Sequence, residues 1–192
     1  NGFAYITDKM PFADTASFFK EIRVEAEQSF GRTNTGSNIF NRSSYGTEFT
    51  ASGNYYILVD PTSTEPAVEF SIPNTLSAKY NIYCVFMPAK IVDAINPKPT
   101  KAKFQLTYIR RANGSTFIKR VTPVNNVVNP EGITKMFVDQ FDFEFANVVD
   151  AQYNRVAVKL EVSSAVAAQE EQSGDFTRTM RIDCIILEPV FE

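Results

Sequence analysis

The sequence has no histidine and no tryptophan, and only two cysteines in 192 residues. Without histidine it lacks the side chain that ordinarily titrates near neutrality, the usual partner of a nucleophilic serine or cysteine, and the commonest transition-metal ligand. Cys84 and Cys184 lie far apart in strand-like segments. They read either as two buried thiols acting as small hydrophobes or as a disulfide joining neighbouring strands in an oxidising compartment. A zinc site made of two thiolates with no imidazole is excluded on ligand count, and nothing beside either cysteine would activate a lone thiolate. No run of basic residues could follow a phosphate backbone, and the net charge of −3 is spread along the chain, so nucleic acid is not an expected partner. The longest apolar stretches, such as Ile82 to Pro88, have the length of a strand and cannot span a bilayer as a helix. Membrane attachment is therefore expected only through a lipid anchor outside this chain. The first residues, Asn1-Gly2, are not an initiator methionine, and read as a processed product or part of a longer chain whose export signal has been removed.

What the sequence does have is aromatic residues of the strand-favouring kind, seventeen Phe and eight Tyr. They fall in short runs with period-two alternation, separated by Gly, Pro, Asn and Ser. In the segment Phe19 to Glu27, Ile22 and Val24 alternate with Arg23 and Glu25. Strands are also expected at Tyr55 to Asp60, at Val68 to Ile72, at Tyr80 to Met87 (apolar on both faces) and at Phe104 to Arg110. The last of these pairs with Thr116 to Val121 across the hairpin loop 111–115. Further strands are expected in Met136 to Val149, around Val156 to Val162, and from Thr179 to Leu187. The region Gly31 to Gly46, rich in Gly, Asn, Ser and Thr, is expected to be a loop. Ser163 to Asp175 is the one place with favourable helix propensity, and is expected to be a loop with a turn of helix. Eight to ten strands without repeating helices predict an all-β, antiparallel β-sandwich.

Three segments, in order, carry a resemblance. Ile22-Arg-Val-Glu-Ala-Glu27 resembles the opening strand of galactose-binding-like modules, in particular carbohydrate-binding modules of families 6 and 35. Ala67 to Pro73 followed by Tyr80 to Phe86 resembles their consecutive central strands, and Met180 to Pro189 resembles their closing strand. The resemblance covers about Lys20 to Pro189 and implies a jelly-roll sandwich that binds and does not catalyse. It also implies that Glu25, Glu27 and Asp183 hold a structural calcium, with backbone carbonyls completing the shell. The alternative for these residues is a pair of solvated strand-end carboxylates, with Asp183 paired to Arg181 or another cation. Cys184 stands where the pattern has Tyr.

A second resemblance lies at the start. Asn1-Gly-Phe-Ala-Tyr-Ile-Thr-Asp8 is similar to the end of fasciclin domains. Residues 1–18 are accordingly expected to be the tail of an upstream fasciclin-like domain and a linker, with the sandwich occupying 19–192. The alternative is that Asn1 to Asp8 is simply the sandwich's first strand. The fasciclin arrangement resembles surface lipoproteins of Bacteroidetes, and Asp14-Thr15-Ala16 would match a short O-glycosylation motif there. It implies a position on the outer face of the outer membrane, beside glycan-uptake systems.

The expected partner is a glycan, bound on an aromatic platform with amides nearby for the hydroxyls. The candidate platform is Tyr45, Tyr55 and Tyr56, flanking the segment that holds Asn34, Asn38 and Asn41. The missing tryptophan argues against strong glycan binding, and tyrosines capping the edge of the core are the competing reading. The rival function is a structural or interaction module docked on an outer-membrane transporter complex. An enzyme survives only as a glycosidase carboxylate pair in Asp139 to Glu144. There, alternation puts Phe141, Phe143 and Phe145 on one side of a strand and Asp142 and Glu144 on the other, as in a half-buried strand with a solvated face.

Overall fold

Side chains of a strand alternate between its two faces, so each apolar run of period two supplies one row of a core. The computed structural model describes residues 20–28, 31–109, 115–144 and 158–191, and assembles these rows into two antiparallel six-stranded sheets. The first sheet has the order β10 (Thr134–Asp142), β6 (Lys79–Phe86), β12 (Met180–Pro189), β4 (Tyr55–Pro61), β3 (Ser37–Ser43). β1 (Ile22–Glu25) also pairs with β12, on residues beyond those that β4 occupies. The second sheet has the order β2 (Thr33–Thr35), β5 (Ala67–Ser71), β11 (Val158–Ser164), β7 (Thr100–Ile109), β8 (Thr116–Val121), with β9 (Val127–Val128) on β7. From β4 to β7, and again from β10 to β12, consecutive strands alternate between the sheets. This is the jelly-roll β-sandwich expected from the sequence.

The core lies between the sheets. Ile57, Val59, Ile82, Phe86, Ile182, Ile185 and Leu187 of the first sheet meet Val68, Phe70, Leu160, Val162, Phe104 and Leu106 of the second. Each fully buried side chain of this size contributes about 1.5–3 kcal/mol. One end of the core is aromatic. Phe143 lies 4.8 Å from Phe141, 5.3 Å from Tyr108 and 5.8 Å from Tyr80 between ring centroids, in edge-to-face geometry in each case. The carboxylates of that segment take the other role expected of them: Asp142 and Glu144 are exposed, while Asp139 pairs with Lys119 of β8. Phe137 is on the opposite face to Phe141, because a register shift between Phe137 and Asp139 inserts one residue into β10. Phe145, the hairpin loop 111–114 and residues 1–19 lie outside the described residues, and with them the fasciclin-like segment and Asp14-Thr15-Ala16.

One expectation is overturned. The region Gly31 to Gly46 is not a loop throughout, because it contains β2 and β3. β3 is an edge strand exposed over most of its length, so burial imposes no apolar alternation on it. Gly36 (φ +60°) joins β2 to β3 and so carries the chain from the second sheet to the first. A Cβ there would lie 2.1 Å from Ser63 Oγ, which would have to turn away, and 3.1 Å from the Glu65 carbonyl oxygen, so it is chiefly the positive φ that favours glycine at the crossing. In the region expected to hold a turn of helix, α1 (Ala168–Gln172) follows the end of β11.

Candidate functional site

Glu25 pairs with Cys184 across β1 and β12. A bulge between Ile182 and Cys184 makes Asp183 an extra residue in β12, and its carbonyl accepts the Ala26 amide at 2.9 Å. The insertion brings carboxyl oxygens of Glu25 and Asp183 and the Cys184 sulfur within 4.8 Å of one another. Ser52, from the loop before β4, closes the group. Its hydroxyl donates to Glu25 Oε1 at 2.7 Å and its amide to Asp183 Oδ1 at 2.9 Å. Glu27 lies against the same loop, since a Cβ on Gly53 would stand 3.7 Å from Glu27 Oε1.

The electrostatics of this cluster are unfavourable as it stands. Burial first, and then the neighbouring Glu25 and Glu27, push the Asp183 carboxyl up to about 7, against the lowering effect of the Ser52 amide. Burial, with Glu25 adding to it, also raises Glu27; its own amide and Gln28 offset part of this. Glu25 Oε2 and both Glu27 oxygens are buried without a well-formed hydrogen bond. Arg23 pairs with Glu21 at 2.9 Å and reaches Ser52 Oγ at 3.3 Å, and Arg32 donates to the Ala26 carbonyl. Neither arginine makes an ion pair with the three carboxylates among the described residues. Glu25 and Asp183 bring buried carboxyl oxygens together, Glu27 stands against the same loop, and Asp183 and Glu27 are raised; a hard divalent cation would relieve this arrangement, and hard oxygen donors of this kind suit calcium. Cys184 does not fit as a ligand of such an ion. Burial pushes its thiol up to about 12, and neutral sulfur suits softer metals.

The loop held by Ser52 also carries the candidate platform. Ser44 N–H donates to the Asn54 carbonyl at 2.9 Å, and Ala51 N–H to Ser44 Oγ at 3.1 Å. Beneath it Ala51, Phe49, Tyr56, Met87 and Ile91 form a small apolar cluster of their own. Tyr45 is 81% exposed and Tyr55 49%. Ser43 faces Tyr55 across β3 and β4, and its hydroxyl accepts the Tyr45 amide at 3.1 Å. Asn41, exposed, shares the face of Ser43, two residues along the strand.

The rest of the predicted platform is not brought together. Tyr56 is only 2% exposed and packs under the loop, so it has no face for a ligand. Asn34 is in the other sheet, and its side-chain amide donates to the Ser37 carbonyl at 2.6 Å. Asn38 pairs with Asp60 at the far end of β3, about 17 Å from Ser43 at the rise of a strand. The tyrosines and these two asparagines flank one segment in sequence, but that segment is an extended strand that separates them. Ser52, which joins the tyrosine loop to the carboxylates, has no sequence signal beyond a Ser-Gly-Asn turn.

The two cysteines are resolved by the same alternation. Cys84 faces the core between the sheets, whereas Cys184 belongs to a cluster with Val85, Ile186 and Tyr83 on the outer face of the first sheet. Both are buried free thiols, as the first of the two readings has it.

No protein-family pattern matches this chain, and neither does any curated protein. Solved structures do share its fold. The CBM22-1 and GH10 modules of Clostridium thermocellum xylanase 10B, complexed with xylohexaose, match 90% of this chain at 13% identity, with a TM-score of 0.55. The chain spans only 29% of that protein. The CBM22-1 xylan-binding domain from Paenibacillus barcinonensis matches 91% of this chain and 95% of its own length at 14% identity, with a TM-score of 0.54. The tandem CBM22-1–CBM22-2 domain from the same organism matches 94% of this chain and 48% of its own, at 14% identity and a TM-score of 0.55. At these identities the likeness is one of fold.

Proposed function

We propose that this chain is a non-catalytic glycan-binding domain whose ligand rests on Tyr45 and Tyr55. The observation that carries this is two exposed tyrosines, Tyr45 on a loop fixed by Ser52 to Glu25 and Asp183, and Tyr55 at the start of the strand that follows it. An exposed phenol ring gives a sugar's apolar face a flat contact, while Ser43 and Asn41 offer groups for its hydroxyls. The likeness to xylan-binding modules supports a polysaccharide as the ligand class. Calcium held by Glu25, Glu27 and Asp183 would neutralise the buried carboxylates and lock the loop. Asp142 and Glu144, from the segment that could have offered a glycosidase pair, are exposed and stand next to an Asp139 paired with Lys119. The setting proposed is the cell surface, in an outer-membrane nutrient-uptake system, with the lipid anchor outside this chain. It is supported by the fasciclin-like and lipoprotein-like resemblance of the first residues.

A second reading, docking on a transporter complex, is favoured by one surface feature. Val124, Val127 and Phe137 are exposed around a groove of about 580 Å³ between residues 122–127 and β10. Titration with soluble xylan and other polysaccharides separates the two readings. Binding lost on Tyr45→Ala and Tyr55→Ala supports the first. A protein that binds no polysaccharide, yet co-purifies with a membrane complex through Val124 and Phe137, supports the second.

A further inference from the structure

A separate cavity of about 170 Å³ opens beside β12, lined by Ala89, Asp93, Asn96, Lys98, Thr177, Thr179 and Arg181. Its floor is Arg181. Met180 and Ile182 on either side face the core, so Arg181 projects from the outer face of the first sheet. Its wall is the segment after β6, tied to the start of β12 where Thr177 N–H donates to the Pro99 carbonyl at 3.0 Å.

The polar groups of this cavity are nearly all donors, and few are used. Arg181 Nε is buried with no hydrogen-bond partner, and no ion pair engages its guanidinium among the described residues. Lys98 Nζ has no carboxylate within ion-pair distance among the described residues, and no protein acceptor there is bonded to the Asn96 side-chain amide or to the Thr177 or Thr179 hydroxyl proton. Thr177 Oγ1 itself accepts the Thr179 amide at 3.2 Å. The one carboxylate, Asp93, uses Oδ1 in its own turn, where it accepts the backbone N–H of Ile95 at 3.1 Å and of Asn96 at 3.0 Å. Two cations, Arg181 and Lys98, therefore share the field of one carboxylate, of which Oδ1 is already engaged. A half-buried guanidinium whose Nε–H is buried without a partner costs free energy that an acceptor anion recovers through short, charge-assisted bonds. The volume is below the 300 Å³ or so of a pocket that encloses a whole small molecule, so it suits one charged group.

We propose that this cavity binds a single oxyanion, a carboxylate or a sulfate, held by Arg181 and Lys98 with the Thr177 and Thr179 hydroxyls. None of its lining residues belongs to the Tyr45–Tyr55 surface, and the proposal does not rest on glycan binding there.

The test is titration of the whole chain with potassium sulfate, sodium glucuronate and neutral glucose at constant ionic strength, read by the NMR shift of the Arg181 Nε–H. Saturable shifts are expected with glucuronate, with sulfate or with both, and none with glucose. Glucuronate alone assigns the anion to a sugar; sulfate as well shows that the free oxyanion suffices. Arg181→Gln and the exposed Lys98→Gln should each weaken binding by about tenfold or more, the usual scale of a lost charge-assisted bond. Lys90→Gln, outside the cavity, should bind like the parent. The proposal is overturned if neither anion gives a saturable shift. It is equally overturned if Lys98→Gln, read by global amide shifts, binds both anions as the parent does.

Discussion

The Ser52 amide donates to Asp183 Oδ1 at 2.9 Å across 131 residues of sequence, joining the loop that carries Tyr45 to the bulge in the closing strand. Together with the Ser52 hydroxyl on Glu25 Oε1, this bond ties the carboxylate cluster to the loop of the proposed ligand surface.

Calcium should stabilise the fold. A ligand that binds only the folded state contributes about 2.7 kcal/mol at one hundred times its Kd. The melting temperature should rise with added calcium and fall with chelator, and Glu27→Gln and Asp183→Asn should each abolish most of that shift. A melting temperature indifferent to chelator would remove calcium from the account.

Without calcium, stability should fall as pH rises. Asp183 is raised from 3.8 to about 7, so across that window the folded state keeps a proton that the unfolded chain has released. The unfolded state then binds fewer protons, and unfolding is favoured by up to a few kcal/mol as pH climbs through the window. Glu27, also raised, acts with the same sign. Calcium needs the ionised carboxylates, so its affinity should increase over the same range. Denaturant melts in chelator at about pH 5 and about pH 8 check the sign. Asp183→Asn should flatten the difference, and a calcium-free protein more stable at the higher pH would contradict this assignment.

Neither thiol should react in the native state. Burial holds Cys84 well above and Cys184 at about 12, so little thiolate exists for attack, and the two face opposite sides of the sheet. A chromogenic disulfide reagent should find no thiol in the folded protein and both after unfolding. A mass two hydrogens lighter under non-reducing conditions would show the disulfide that the geometry excludes.

Much of the sandwich was legible wherever a strand has one buried face. Val158, Leu160 and Val162 alternate with Lys159 and Glu161 in sequence, and they do so in β11. β3 was not legible, because an exposed edge strand needs no apolar row, and its Asn, Ser and Arg residues read as loop. The bulge in β10 was not legible either: one inserted residue between Phe137 and Asp139 reverses the face of what precedes it, and sequence alternation carries no mark of it. For the site, the resemblance put Glu25, Glu27 and Asp183 in one group; strand pairing and the bulge explain why Glu25 and Asp183 meet, with Cys184 beside them, while Glu27 stands against the neighbouring loop. It could not show that Tyr56 packs under a loop or that Asn38 lies at the far end of a strand. The Arg181 cavity is assembled from the segment between β6 and β7 and from the residues before and at the start of β12, which no local pattern connects.

The central claim is that Tyr45 and Tyr55 form a glycan-binding surface, and calorimetric titration of the calcium-loaded protein with soluble xylan and a panel of other polysaccharides tests it most directly. The account predicts saturable binding to at least one of them. It predicts a loss of about tenfold or more on Tyr45→Ala or Tyr55→Ala, with the exposed Tyr45 change moving stability by no more than about 0.5 kcal/mol. Binding that survives the double substitution unchanged, or no binding to any polysaccharide by the folded, calcium-loaded protein, would contradict it.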